Sequence, residues 1–242
     1  QWFSNTTNTT TGGALIAGAI NSVFTPETTP AGTVFYYCVV TTDASGCEVV
    51  SSVSEVLVNE GPSISVDPLA TQTVCLDGTT TDLQVDYING VGVPTYQWFS
   101  NLTCDTTDLS NPIPGATANI FTPLSTAVGS INYFAVLTFA DGGCGPIASE
   151  CALVTVVPDP IVNIISAVPT EICIGGTISD IEVSTTGGTG TVSFDWYISD
   201  VIGSLISIHP SSTDSATFNP GVFTAAGQFY FVAVTNFDGS GC

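Results

Sequence analysis

Gln97-Trp98-Phe99-Ser100-Asn101 decides how this chain is read, because the same five residues open it as Gln1-Trp2-Phe3-Ser4-Asn5. A looser copy stands at Asp195-Trp196-Tyr197-Ile198-Ser199, so the three tryptophans follow one another at intervals of 96 and 98 residues. Working outward, Tyr36-Tyr37-Cys38-Val39-Val40-Thr41 aligns with Tyr133-Phe134-Ala135-Val136-Leu137-Thr138 and with Tyr230-Phe231-Val232-Ala233-Val234-Thr235. A Gly-Cys pair closes each copy, at Gly46-Cys47, Gly143-Cys144 and Gly241-Cys242. Upstream of the tryptophans, Cys75-x-x-Gly78 with Leu83 and Val85 matches Cys173-x-x-Gly176 with Ile181 and Val183. Self-similarity at one fixed period is the mark of a repeat architecture.

A period of about 97 residues is the length of one β-sandwich domain. Residues 82–88 alternate as a strand B, 95–100 form a strand C carrying Trp98, 131–139 a strand F and 146–157 a strand G. The composition agrees: 44% of the 242 residues are hydrophobic, and Gly 24 and Pro 14 punctuate the apolar runs at the spacing of short strands. A Trp on strand C, packed between two sheets and faced by an aromatic-rich strand F, is the immunoglobulin-like arrangement. The chain therefore reads as all-β, a tandem array of immunoglobulin-like β-sandwich repeats. Residues 1–60 hold the C-terminal part of a first repeat, 61–158 a complete second, and 159–242 a third that lacks its last strand. Trp2, Trp98, Trp196, Tyr36, Tyr133 and Tyr230 are assigned to equivalent core positions. The joints, Asn59-Glu60-Gly61-Pro62 and Pro158-Asp159-Pro160, are short and stiffened by proline.

Charge narrows the function. There is no Lys or Arg against 21 Asp and Glu, a formal charge of −21. Nucleic acid is excluded as a partner, since phosphates are neutralised by basic side chains. An anionic membrane surface is excluded for the same reason, and no apolar run reaches the ~18 residues that membrane insertion needs. The chain offers trypsin-like proteases no site and, with no Met, lacks one common oxidation target, which suits exposure outside a cell. It begins without Met or a signal peptide, as expected of a window from a longer protein. Eight cysteines with no Cys-x-x-Cys and a single His read as disulfides in an oxidising compartment rather than as zinc ligands.

Cys104 and Cys151 have no cysteine counterpart in the other repeats, where Ser54 aligns with Cys151, so they are expected to pair with each other. Cys75 and the Gly-Cys turns belong to opposite ends of a sandwich. A strand of seven or eight residues at ~3.3 Å each separates those ends by about 25 Å, whereas a disulfide needs Cα atoms within about 7 Å. In a head-to-tail array Cys75 then meets Cys242 of the next repeat. Cys144 meets a cysteine in the missing start of the first repeat, while Cys173 and Cys47 bond to repeats outside this chain. The alternative is a Cys75–Cys144 bond within one sandwich of different strand course.

Taken together, Cys75-x-x-Gly78, Tyr96-x-Trp98, Ile113-x-Gly115-Ala116-Thr117, Phe121-Thr122-Pro123 and Tyr36-Tyr37-Cys38-Val39-Val40-Thr41 closing on Gly46-Cys47 resemble the immunoglobulin-like repeats of giant Bacteroidetes surface proteins, gliding-motility adhesins among them. The resemblance covers the whole chain. It implies export by type IX secretion to the extracellular cell surface, as a stalk segment of an adhesin filament serving attachment and gliding motility. The implied partners are neighbouring repeats of the same chain, external surfaces or polysaccharide bound through other regions, and the secretion and gliding machinery. It also implies O-glycosylation at Asp followed by Ser or Thr, which Asp105-Thr106-Thr107 and Asp214-Ser215-Ala216 match, with Thr106 and Ser215 as acceptors.

No constellation points to catalysis. His209, the only histidine, lies in a loop-like Ser-Ile-His-Pro stretch with no nucleophile elbow around it. Gly187-Gly188-Thr189-Gly190 lacks the Lys of a phosphate loop and reads as a B–C turn. Asp195 and Asp200 bracket strand C and align with no acid in the other repeats. No cofactor is expected. Calcium at the joints, near Glu60, Asp67 and Asp159, is the one metal the sequence allows, although calcium wants six to eight oxygens. Two other classes stay open: a glycan-binding module using a loop aromatic, and a self-assembling filament in which an incomplete domain accepts a strand.

Overall fold

Thr, Val and aromatic residues dominate the sequence, and every regular element of the computed structural model is a strand among the residues it describes, 1–42, 46–140, 142, 144–166, 171–199, 207–208 and 214–238. The first repeat contributes β1 (Trp2–Asn5), β2 (Ala14–Leu15), β3 (Gly32–Thr41), β4 (Glu48–Val50) and β5 (Ser54–Val58). They form one sheet in the order β2-β1-β3-β4, with β5 also on β3.

The second repeat runs through β6 (Ser63–Val66), β7 (Thr71–Cys75), β8 (Leu83–Gln84), β9 (Asp86–Ile88), β10 (Thr95–Asn101), β11 (Ile120–Phe121), β12 (Gly129–Thr138), β13 (Ile147–Ala148) and β14 (Ala152–Val157). One sheet has the order β10-β12-β14-β7, with β13 on β12; β6 pairs with β9, and β11 with β8. This is an immunoglobulin-like strand course: β8 and β9 make up strand B, β10 is C, β11 is E, β12 is F, and β13 with β14 is G. The antiparallel partners F and G follow from a hairpin, whereas β7 lies parallel to β14, from Leu153↔Thr71 to Val157↔Cys75.

The third repeat holds β15 (Ile161–Ile164), β16 (Ile181–Thr186), β17 (Val192–Ser199), β18 (Ser207–Ile208), β19 (Thr217–Phe218) and β20 (Tyr230–Phe237). Its sheets are β15-β16-β19 and β18-β17-β20.

Alternation places the core. Along β14, Ala152, Val154 and Val156 are buried while Leu153, Thr155 and Val157 are less so. They join Val74, Leu83, Val85, Trp98 and Phe134, all sealed from solvent. The third repeat has its own cluster of Ile181, Val183, Phe194, Trp196 and Phe218. The chain divides into two compact units, one of Gln1–Ser65, Tyr87–Thr95 and Thr138–Ile147, the other of Val66–Asp86, Tyr96–Leu137 and Ala148–Cys242.

Three details depart from the sequence reading. Strand G is interrupted at Ser149, whose Oγ accepts from Ala135 N at 3.0 Å while its own N donates to Ala135 O at 2.9 Å. Ser51 repeats this on Cys38, both distances 2.9 Å. Ser54 consequently faces Tyr36 as Ala152 faces Tyr133, so the counterpart of Cys151 is Val53, not Ser54. In the third repeat Trp196 faces Ala233 as Trp2 faces Cys38, which makes Phe231 rather than Tyr230 the counterpart of Tyr36. Finally, Cys75 ends β7, a strand ahead of B that the sequence reading did not mark.

Candidate functional site: the joints and their anchors

Each repeat is organised around its tryptophan. The indole N–H of Trp2 donates to Asn21 O at 2.9 Å, that of Trp98 to Ala118 O at 2.9 Å and that of Trp196 to Ser215 O at 2.8 Å. A buried indole without such an acceptor would carry an unmet polar group, so the partner carbonyl is part of the core. Each ring joins an aromatic triad that ends on strand F: Trp2–Phe24–Tyr36, Trp98–Phe121–Tyr133 and Trp196–Phe218–Phe231. Tyr230 is half-buried beside this triad and not a member of it. Gln1 and Gln97 brace the tryptophans identically, each Nε2 donating to the tryptophan carbonyl and to that of Ile16 or Ile113. Trp98 and Trp196 are buried and serve packing, whereas Trp2 is half-buried. Burial pushes the Tyr133 phenol above its ordinary pKa.

The joints use one device twice. Glu60, in the first linker, has its carbonyl held by Gly90 N at 3.1 Å and its carboxylate by Asn89 Nδ2 at 2.8 Å. Pro158, in the second, has its carbonyl held by Gly188 N at 3.0 Å. Gly90 and Gly188 lie in the B–C turns of the repeats that follow, with φ of 86° and 76°. A Cβ on Gly90 would stand 2.9 Å from the Phe139 ring, and one on Gly188 2.7 Å from the Phe237 ring. Only glycine fits, on both backbone and steric grounds. A linker carbonyl, a turn glycine and the phenylalanine at the end of strand F thus form a clamp that recurs at a spacing of 98 residues. Sequence reading placed Gly187–Gly190 correctly as a turn but missed the clamp; the paired Gly90/Gly188 and Phe139/Phe237 were the available signal.

Cysteines divide sharply. Cys104 and Cys151 are bonded, S–S 2.17 Å, tying the C–E connection to the start of β14. Cys75 is disulfide-bonded and fully buried, opposite Val157 at the end of β14. Cys38, Cys144 and Cys173 are free, so the Cys75–Cys144 alternative is not formed. Cys242, the expected partner of Cys75, lies outside the described residues. The turn that follows Cys75 recurs after Cys173: Gly78 N donates to Cys75 O and Gly176 N to Cys173 O, both at 2.9 Å.

Of the remaining candidates, Thr106 is half-buried and Ser215 exposed. Asp105, beside Thr106, accepts from the Thr107 hydroxyl at 2.6 Å and amide at 2.9 Å, which holds its carboxyl below the usual carboxylate range. Asp67 accepts from Glu150 N at 2.8 Å, and Asp159 stays exposed. Among the described residues no three His, Cys, Asp or Glu side chains come together to hold a metal ion. His209 and Asp200 lie outside the described residues, and Asp195 accepts from Asn236 Nδ2 at 3.2 Å.

No protein-family model matches this chain, and no curated protein does. Among solved structures, Sidekick-1 immunoglobulin domains 1–5 match 71% of this chain at 16% identity with a TM-score of 0.36, the chain spanning only 36% of that structure. Extracellular domains 3–5 of Drosophila OTK match 85% of the chain and 70% of theirs at 16% identity, TM-score 0.37. The titin I-band fragment I67–I69 matches 86% and 64% at 13% identity, TM-score 0.34. Similarities this low carry no functional argument; the fold assignment rests on the strand course itself.

Proposed function

We propose that this chain is a non-enzymatic stalk segment of an extracellular adhesin filament, made of repeats bordered at 1–60, 61–158 and 159–242. The observation that carries the reading is the repeated clamp, in which Gly90 and Gly188 seize the linker carbonyls of Glu60 and Pro158. A segment whose task is to transmit force needs defined joints more than it needs a pocket, and its binding function resides elsewhere in the parent protein. The sequence resemblance supports the finer statement, a cell-surface adhesin of the SprB type, exported by type IX secretion and serving attachment and gliding. Cell-surface exposure also fits a chain with no Lys or Arg.

Labelling intact cells of the source organism with Fab fragments raised against this chain tests the proposal. The expected result is surface label that trypsin leaves in place and a broad-specificity protease removes. Label that appears only after permeabilisation would sink the surface assignment. Retention of the isolated chain by a polysaccharide array would move the reading to a glycan-binding module.

A further inference from the structure

Asn89-Gly90 is the only place in the chain where an asparagine precedes a glycine. That dipeptide is chemically labile, because glycine has no side chain to keep its amide nitrogen away from the neighbouring side-chain carbonyl carbon. Here it forms the turn that grips the first linker. Gly90 N donates to Glu60 O at 3.1 Å and Asn89 Nδ2 donates to Glu60 Oε2 at 2.8 Å. Both groups that the reaction needs are thus tied to one residue. Asn89 and Glu60 are exposed, so water reaches both. Asn89 sits at φ of 63°, a region that asparagine enters more readily than most side chains.

The second clamp has the same backbone without this chemistry. Gly187-Gly188 takes the place of Asn89-Gly90, and a Cβ on Gly187 would collide with Asp159 O. Gly188 N holds the Pro158 carbonyl with no side chain from its neighbour to help. The asparagine amide is therefore an addition peculiar to the first joint, and it is a group that can be lost.

We propose that Asn89 is a deamidation site that the closed clamp guards, and that its modification holds the joint open. When the clamp opens, the Gly90 nitrogen gives its proton to solvent and attacks Asn89 Cγ. The Cγ–Nδ2 bond breaks, and the amide group takes a proton from water and leaves as ammonia. Water then opens the cyclic imide at either carbonyl, leaving an aspartyl or an isoaspartyl residue at position 89. Only water is consumed. In the aspartyl form a carboxylate replaces the donor that lay 2.8 Å from Glu60 Oε2. Two carboxylates that close disfavour each other's charge, and the chain has no Lys or Arg to neutralise them. In the isoaspartyl form the backbone gains a methylene, which moves the Gly90 N–H away from the Glu60 carbonyl. Either product records that the joint has opened and keeps it from closing again. Nothing in this chemistry depends on where the chain is displayed.

The full chain and a free peptide of residues 86–94 are held in mildly alkaline buffer, cleaved at aromatic residues and compared by mass mapping. Conversion at Asn89 should be tenfold or more slower in the chain than in the peptide. Glu60→Ala should raise the rate in the chain at least threefold. Glu60→Gln keeps an oxygen to accept from Asn89 Nδ2 and should stay near the parent rate. Asn21-Ser22, read in the same digest, controls for unfolding, and its rate should not respond to Glu60→Ala. Asn89→Asp should speed amide exchange at Gly90 tenfold or more, whereas Asn89→Gly, which copies the second clamp, should leave it near the parent. Equal rates in chain and peptide overturn the proposal, as does a rate that Glu60→Ala leaves unchanged. So does an acceleration that Asn21 shares, or exchange at Gly90 that Asn89→Asp does not move.

Discussion

At the scale of single residues the tryptophans were the legible part, because a large ring repeated at one period has few explanations other than a shared core position. The structure adds that each indole N–H is paired and each ring begins a triad that ends on strand F. Trp98→Ala should therefore lower stability by about 3–5 kcal/mol, the usual range for deleting a buried large aromatic, as read by denaturant unfolding. Tyr230 was assigned wrongly for a physical reason. In Tyr230-Phe231-Val232 either aromatic can match Tyr36, and a shift by one residue turns every side chain to the other face. The connection from Trp196 to strand F is one residue longer than that from Trp2, and only the register Trp196↔Ala233 reveals it. Tyr133 carries a second prediction. Its folded pKa is raised, so its contribution is fully present below the unfolded value near 10 and is lost as pH rises through the folded value. Tyr133→Phe should flatten the fall in stability above about pH 10, followed by the unfolding midpoint at stepped pH.

At the scale of elements, strands B, C, F and G were read within a few residues, whereas the Ser51 and Ser149 interruptions were invisible, because a serine that bonds the opposite strand looks like any polar residue in a loop. The missed interruption displaced Cys151 by one position in the alignment without disturbing its pairing, since two cysteines present in a single repeat need no register to find each other. Opening the Cys104–Cys151 bond with Cys151→Ser should cost about 2–4 kcal/mol, the usual worth of a disulfide closing a loop of this order. The clamp is the element whose loss is most specific. Gly188→Val sets a β-branched residue at φ of 76° and drives it into the Phe237 ring, so the turn must move and release the Pro158 carbonyl. Amide exchange should accelerate at position 188, while Trp196 fluorescence, reporting the neighbouring core, stays near that of the parent chain. Unchanged exchange at position 188 would show that the clamp holds nothing.

At the scale of the whole molecule the question is whether the repeats are joined by more than a peptide bond. Eight cysteines are present. Cys104 and Cys151 hold each other, Cys38, Cys144 and Cys173 are free, and Cys75 is bonded. Cys75 sits at the end of β7 opposite Val157, the last residue of β14 before the Pro158-Asp159-Pro160 linker, and its sulfur lies 3.9 Å from the Pro158 carbonyl oxygen. It therefore marks the point where the chain leaves the second repeat. Sequence reasoning reached the same end of the sandwich, although it did not mark the strand that Cys75 ends. We accordingly expect Cys75 to be bridged to Cys242, a bond that crosses from one repeat to the next and shares load with the linker. Digestion at acidic residues under non-reducing conditions suits a chain with no Lys or Arg, and should yield one fragment carrying both Cys75 and Cys242 that separates on reduction. Single-molecule extension of the full chain supplies the mechanical counterpart: Cys75→Ser should bring forward the first unfolding event of the third repeat, because force then reaches it through the linker alone. Recovery of Cys75 linked to Cys144 would remove the inter-repeat bridge and leave the glycine clamps as the sole fastening of the joints.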